Sequence, residues 1–265
     1  MVRVFLPYME VLWKKIPAPL GAIKAAGFDG VECHLLGKLL SPQRVMELRE
    51  EAAKLDLGIR FHQGWSWETG QRIVHNYILR PLGALVPSGT SLAEQVVSVG
   101  TDPVVVYGSR VGEPTKPHYL YQTSSEFCHG KAYAKHFQDF VAAVIDSKLP
   151  VVFDTQHVLE WSLDEHYVTG LPTARENVAE LVYHLWQKFS PFTKEIHLCD
   201  YDPRLGPSHG RNVFLGRGVF PLKEFCTGVR LSGWEGIVTP EVSPQYLRER
   251  GSLEMLRAEV GRLLG

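Results

Sequence analysis

The chain has 265 residues, a length that suits one large domain. Its 28 Lys+Arg nearly balance 29 Asp+Glu, with no basic stripe, so composition gives no support for nucleic-acid binding. No apolar run reaches the roughly 18 residues of a membrane helix, and Cys33, Cys128, Cys199 and Cys226 are far apart with no CxxC pair. A reduced, cytoplasmic protein without a membrane anchor is expected.

Val2–Leu6 reads as a first strand; the Pro that follows it interrupts the run too early for a signal peptide. A short helix over Leu20–Ala26 stops at Gly27, and residues 28–34 form a second strand. Ser41-Pro42 opens the next helix, with Ser as cap and Pro at the first helical position. Val45, Leu48, Ala52 and Leu55 share one face of it. A third strand covers Leu57–His62.

Residues 64–101 hold Trp65, Trp67 and a helical pattern near Ser91–Val99, and an eight-stranded closure would need a fourth strand among them. Val104–Tyr107 is then the fifth strand, and Arg110–Ser125 is a long polar loop that could act as a lid. A helix over Glu126–Ser147 leads to the strand Val151–Asp154. Thr173–Phe189 is helical, and Glu195–Asp200 is a strand. Asp202–Gly218 is a second long loop, Pro221–Val229 a short helix, Gly236–Glu241 the last strand and Leu253–Leu264 the closing helix. Strands alternating with helices indicate βαβ units and a parallel sheet, and eight of them close into a barrel.

Three of these strands deliver a metal-compatible side chain at their C-terminal ends: Asp154, His197 and Glu241. That end of a β/α barrel is where active sites sit. Carboxylate and imidazole together suit Zn or Mn, with Mg or Co as further choices. Side chains alternate along a strand, so Asp154 shares a face with Val152, His197 with Cys199, and Glu241 with Thr239. The competing expectation is that Asp154 caps a turn and Glu241 is a rim charge.

Other polar residues are less decisive. Glu32 either hydrogen-bonds a substrate hydroxyl or orients Arg60. His62 is either a metal or substrate His or a rim His bonded to backbone. Trp65 either stacks on a sugar ring or packs the rim. His209 and Arg211 either bind an anionic group of the substrate or are solvated loop charges. The histidines at 75, 129, 136, 166 and 184 are expected to be structural.

Phe153-Asp154-Thr155-Gln156-His157 resembles the DTxH element of the xylose-isomerase-like barrels, the sugar phosphate isomerase/epimerase superfamily that includes the apurinic/apyrimidinic endonuclease family 2 branch. His197-Leu198-Cys199-Asp200 is similar to its HLxD element. Leu215-Gly216-Arg217-Gly218 is similar to its IGxG turn, Val238-Thr239-Pro240-Glu241 to its closing strand, and Gly27–Glu32 to its early GxxGVE strand.

The resemblance implies a single-domain (β/α)8 TIM barrel over residues 1–265. Asp154, His197 and Glu241 would be metal ligands, and His157 would contact substrate or a further zinc. It also implies a metal-dependent sugar, sugar-phosphate or inositol-type isomerase or epimerase working through an enediolate, with Glu241 or His157 moving the proton. The partner expected is a small sugar-like molecule; homo-oligomers stay open.

Two departures are visible. The family's fifth-strand Glu is missing if Val104–Tyr107 is that strand, although Glu113 lies just beyond it. Gly210-Arg211-Asn212 stands where the endonuclease branch carries Asp-x-His, which argues against that activity. The alternative is a diverged barrel of the same superfamily that binds a ligand or runs lyase-type chemistry.

Overall fold

The computed structural model describes residues 2–8, 20–35, 42–63, 103–107, 119–123, 133–162, 175–205 and 212–265. Eight strands form a closed parallel barrel: β1 Arg3–Tyr8, β2 Gly30–Leu35, β3 Gly58–Gln63, β4 Val104–Tyr107, β5 Tyr119–Gln122, β6 Val151–Asp154, β7 Thr193–Cys199 and β8 Ile237–Glu241. Each pairs with the next, and β8 returns to β1 through Arg3↔Ile237 and Val4↔Val238.

Helices run between the strands: α1 Leu20–Ala25, α2 Pro42–Lys54, α3 Tyr133–Ser147, α4 His157–Ser162, α5 Arg175–Phe189, α6 Leu222–Leu231 and α7 Ser252–Leu264. Their buried faces follow the helical period. Leu222, Phe225, Cys226 and Val229 line one side of α6, and Ser252, Leu256, Val260 and Leu263 one side of α7.

Two strand assignments need correction. Val104–Tyr107 is the fourth strand, because β3 pairs with it directly through Phe61↔Val104 and His62↔Val105. The fifth is Tyr119–Gln122, inside the stretch expected to be a lid, and it pairs with Val104–Tyr107 along its whole length. Tyr119–Gln122 is only four residues long and sits in a polar, Pro-containing stretch, which hid it. The helix expected near 91–99 lies outside the described residues.

Strand alternation separates two environments. Val104, Val106, Tyr119, Tyr121, Val151 and Phe153 point outward into the apolar layer beneath the helices. Val105, Leu120 and Val152, between them in sequence, form a small cluster of their own inside the barrel. The Phe5 ring fills the space beside Gly30 and Gly58, where an added Cβ would stand 2.5 Å from that ring. These two glycines are bare so that one aromatic ring can close the barrel floor.

Candidate metal centre at the barrel mouth

Asp154 ends β6, fully buried, and its two oxygens do different things. Oδ1 accepts the backbone N–H groups of Gln156 at 2.9 Å and His157 at 2.8 Å, which starts α4. The turn-capping expectation therefore holds for this oxygen. Oδ2 faces the barrel axis, accepts the Gln122 amide at 3.0 Å, and lies 3.7 Å from His197 Nδ1. Thr155 ties the ends of β6 and β7 together: its Oγ1 accepts the Cys199 N–H at 2.8 Å.

His197, on β7, is fully buried between carboxylates. Nδ1 is 3.2 Å from Glu241 Oε1, and Nε2 is 2.9 Å from Glu32 Oε2. Burial opposes its charge, but the carboxylates of Glu32 and Glu241 win and hold the imidazole well above its usual range. Burial would likewise raise Asp154 and Glu241. His157 and His197 keep Asp154 low, and His197 keeps Glu241 low. The three residues expected to share a metal are thus neighbours, but His197 and Asp154 fall in different groups of ligand atoms that share Glu241, the outermost of the three: its side chain is 12% exposed and that of His197 0%.

Glu32 takes a different place from either one expected. It is buried behind the His197 ring, with its second oxygen 3.2 Å from His34 Nε2. Arg60 turns instead to Glu195, at 3.1 Å from Nε to Oε2, and Thr239 donates to Glu195 Oε1 at 2.7 Å. Burial, reinforced by nearby Glu32, pushes Glu195 up to about 7 despite Arg60. His62 is buried in the site, stacked on His34 at 4.5 Å and tilted against His197 at 5.4 Å. Burial and His34 bring it down to about 4, so at neutral pH it offers a neutral imidazole.

Gln122 and Cys199 were not among the expected site residues. Gln122 ends β5, the position where the family would carry its Glu, so the acid is absent there but not because of Tyr107. Its Nε2 reaches both Asp154 and His197 Nδ1, the latter at 3.1 Å, while its Oε1 is buried without a hydrogen-bond partner. The missed signal was the strand-forming run Tyr119-Leu120-Tyr121 just before it. Cys199 shares the inward face of His197, and that parity was legible. Its Sγ lies 3.7 Å from both Asp154 Oδ1 and Glu241 Oε2. Burial and these carboxylates push the thiol well up.

Asp200 shapes the rim. Its carboxylate accepts the backbone N–H groups of Tyr201, Gly216, Gly218 and Phe220. Gly216 has φ +84°, and a Cβ on Gly218 would strike the Asp200 carboxylate. This is why the LGRG turn needs both glycines. Trp65, His209 and Arg211, with Trp67 and Glu113, lie outside the described residues.

The donor set suits a divalent cation. Glu32, His62, His197 and Glu241 present ligand atoms within 4.8 Å of one another, as do Asp154, Cys199 and Glu241, and Glu241 belongs to both sets. The orphaned Gln122 Oε1 fits the same reading, since an amide can turn its oxygen toward a cation. Among the described residues no helix is long and apolar enough to cross a membrane.

Comparison with known proteins agrees with this architecture. No curated protein matches the chain. Among solved structures it is similar to one described as AsfvAP:AG, at 14% identity and TM-score 0.56, over 100% of this chain and 99% of that one. It is also similar to an L-ribulose 3-epimerase, at 16% identity and TM-score 0.49 over 100% and 95% of the two chains. A D-psicose 3-epimerase with D-tagatose from Clostridium cellulolyticum H10 matches at 13% and TM-score 0.48 over 98% and 97%. The likeness to the first of these, at 14% identity, concerns the fold alone. Residues 117–259, more than half of the chain and including the strands that carry Gln122, Asp154, His197 and Glu241, match the family described as Xylose isomerase-like TIM barrel, and the chain belongs to that family.

Proposed function

We propose that the chain is a divalent-metal-dependent isomerase of sugar-like substrates. The observation that carries this reading is the meeting of Asp154, His197 and Glu241 at the barrel mouth, with Glu241 at its outer edge. Asp154, His197 and Glu241 would hold the ion, with His62 and Gln122 Oε1 beside them. The chemistry such an ion supplies is Lewis-acid polarisation of a carbonyl. Glu32 fixes the His197 tautomer by accepting a hydrogen bond from Nε2–H, which leaves Nδ1 turned toward Asp154 and Glu241. The Glu241 carboxylate, held ionised by His197, takes the proton from the carbon beside that carbonyl and returns it to the neighbouring carbon. His157, partly buried at the start of α4, serves the substrate oxygens.

Gln122 favours isomerisation over epimerisation. Epimerisation removes a proton from one face of the carbon and delivers another to the opposite face, which calls for two proton carriers. An amide cannot be one of them. The same feature supports a second reading, a barrel that binds a sugar-like ligand without turning it over.

The test is incubation of zinc-, manganese- or cobalt-loaded protein with a panel of aldoses, ketoses, their phosphates and inositol ketones in deuterated water. The reading expects solvent deuterium beside the carbonyl and an aldose–ketose product, both lost in Glu241→Gln. Ligand binding with no exchange across the panel selects the second reading.

A further inference from the structure

We propose that Cys199 is a thiolate ligand of the mouth ion, together with Asp154 and Glu241, and that it makes the centre selective for zinc-like, thiophilic cations over magnesium and manganese. This rests on the metal reading above and narrows it to one class of ion.

Location is the first support. Cys33 and Cys226, the other cysteines among the described residues, are packed within the apolar layer between barrel and helices. Cys199 belongs to no apolar cluster, although it is equally buried. It sits on the inward face of β7, two residues beyond His197, with carboxylates as its neighbours.

Geometry is the second. The sulfur is 3.7 Å from Asp154 Oδ1 and 3.7 Å from Glu241 Oε2. A thiol has one hydrogen and can donate to only one of these oxygens, so it cannot satisfy both. A cation held by Sγ, Glu241 Oε2 and Asp154 Oδ1, the oxygen that also caps the start of α4, accounts for both. Zinc bonds of about 2.3 Å to sulfur and about 2.0–2.2 Å to oxygen, at a tetrahedral angle, put sulfur and oxygen roughly 3.5 Å apart. The observed edges are close to that without any movement of the backbone.

The third support is independent of the sulfur. Gln122 Oε1 is buried without a hydrogen-bond partner, while its Nε2 already engages Asp154 and His197. A buried carbonyl oxygen left unpaired is costly, and turning the amide exchanges Nε2 for Oε1 on the Asp154 side, where a cation gives that oxygen a partner. On binding, the ion displaces the Cys199 proton to solvent, so uptake releases protons. Soft sulfur in the ligand set favours zinc and cobalt(II), and magnesium and manganese prefer an all-oxygen or oxygen–nitrogen shell.

Cobalt(II) titration of the metal-stripped full chain tests this. The expected result is a sulfur-to-cobalt charge-transfer band in the near ultraviolet that reaches a plateau at a fixed stoichiometry. The band should vanish in Cys199→Ser and Cys199→Ala and survive in Cys226→Ser. Zinc affinity, from competition with a chromophoric chelator, should fall more than about tenfold in Cys199→Ser, with manganese affinity changed far less. Cobalt bound without the band, or a band unchanged in both Cys199 variants, overturns the thiolate ligand and leaves the metal reading standing. No cobalt or zinc bound at all overturns both. The wild-type spectrum decides between these outcomes even if a variant fails to fold.

Discussion

Phe153 and Asp154 are consecutive on β6 and face different surroundings. Phe153 points outward, stacked on Phe225 at 5.6 Å and edge-on to Trp186 at 5.3 Å. Asp154 points inward to an amide, an imidazole and a thiol. The same alternation runs through β7, where Ile196 and Leu198 join the apolar layer while Glu195, His197 and Cys199 face the axis. Outside, side chains fill space and exclude water. Inside the upper barrel, they are charged and held by one another. One strand period therefore keeps cohesion and chemistry apart, so that each can be altered with little effect on the other.

Breaking that separation gives the largest effects. Phe153→Ala should cost about 3–5 kcal/mol in denaturant unfolding and leave zinc content per folded chain unchanged. Asp154→Asn should do the reverse. An amide can still accept the Gln156 and His157 N–H groups, and Gln122 can turn its unpartnered Oε1 toward the new donor. Ion affinity should nonetheless fall by more than the roughly 10–100-fold typical of residues one layer out, as read by metal analysis after dialysis. Equal metal content in Asp154→Asn and the parent would leave Asp154 as a turn cap alone.

A smaller effect is expected at the floor, where inside and outside meet. Gly30→Ala would place a methyl group 2.5 Å from the Phe5 ring and 2.6 Å from the Gly58 carbonyl. Overpacking of this kind costs about 1–3 kcal/mol. The melting temperature should drop while cobalt binding at the far end of the barrel is retained. Loss of both would mean that floor and mouth are coupled.

A pH dependence sharpens the comparison within the interior. Burial raises Glu195 from its ordinary 4.5 to about 7 in the folded chain. An acid raised on folding adds stability below 4.5, and that contribution is lost as pH climbs through about 7. Chelator-treated protein should therefore lose stability over this window, and Glu195→Gln should flatten that part of the profile. Parallel curves for the two would mean that Glu195 does not titrate there.

The same contrast explains what could be read from the amino-acid sequence. Six strands were placed in their correct order, and three of them, β6, β7 and β8, carry the polar side chains that converge. β4 was read as a strand but counted as the fifth, because β5 lies in a polar, Pro-containing stretch and went unseen, and Gln122 with it. Face is legible from parity; partner is not. Arg60 and Glu32 are register neighbours on β3 and β2, yet Arg60 reaches the β7 carboxylate of Glu195 and Glu32 takes His197. Closure of the barrel decides such pairings, since it brings β2 and β3 across from β7. Asp200 resembles a site acid in the HLxD element, but its carboxylate is engaged by four backbone amides that fold the following loop.

The amide at Gln122 has a genetic consequence as well as a chemical one. Codons for glutamine and glutamate differ at a single base. One point mutation at that codon would convert the amide to an isosteric carboxylate, already aimed at Asp154 and His197, and would make the mouth one unit more negative. Random mutagenesis of this gene would sample that state in its first round, so the ionic character of the site is within one nucleotide of change while its shape stays as it is.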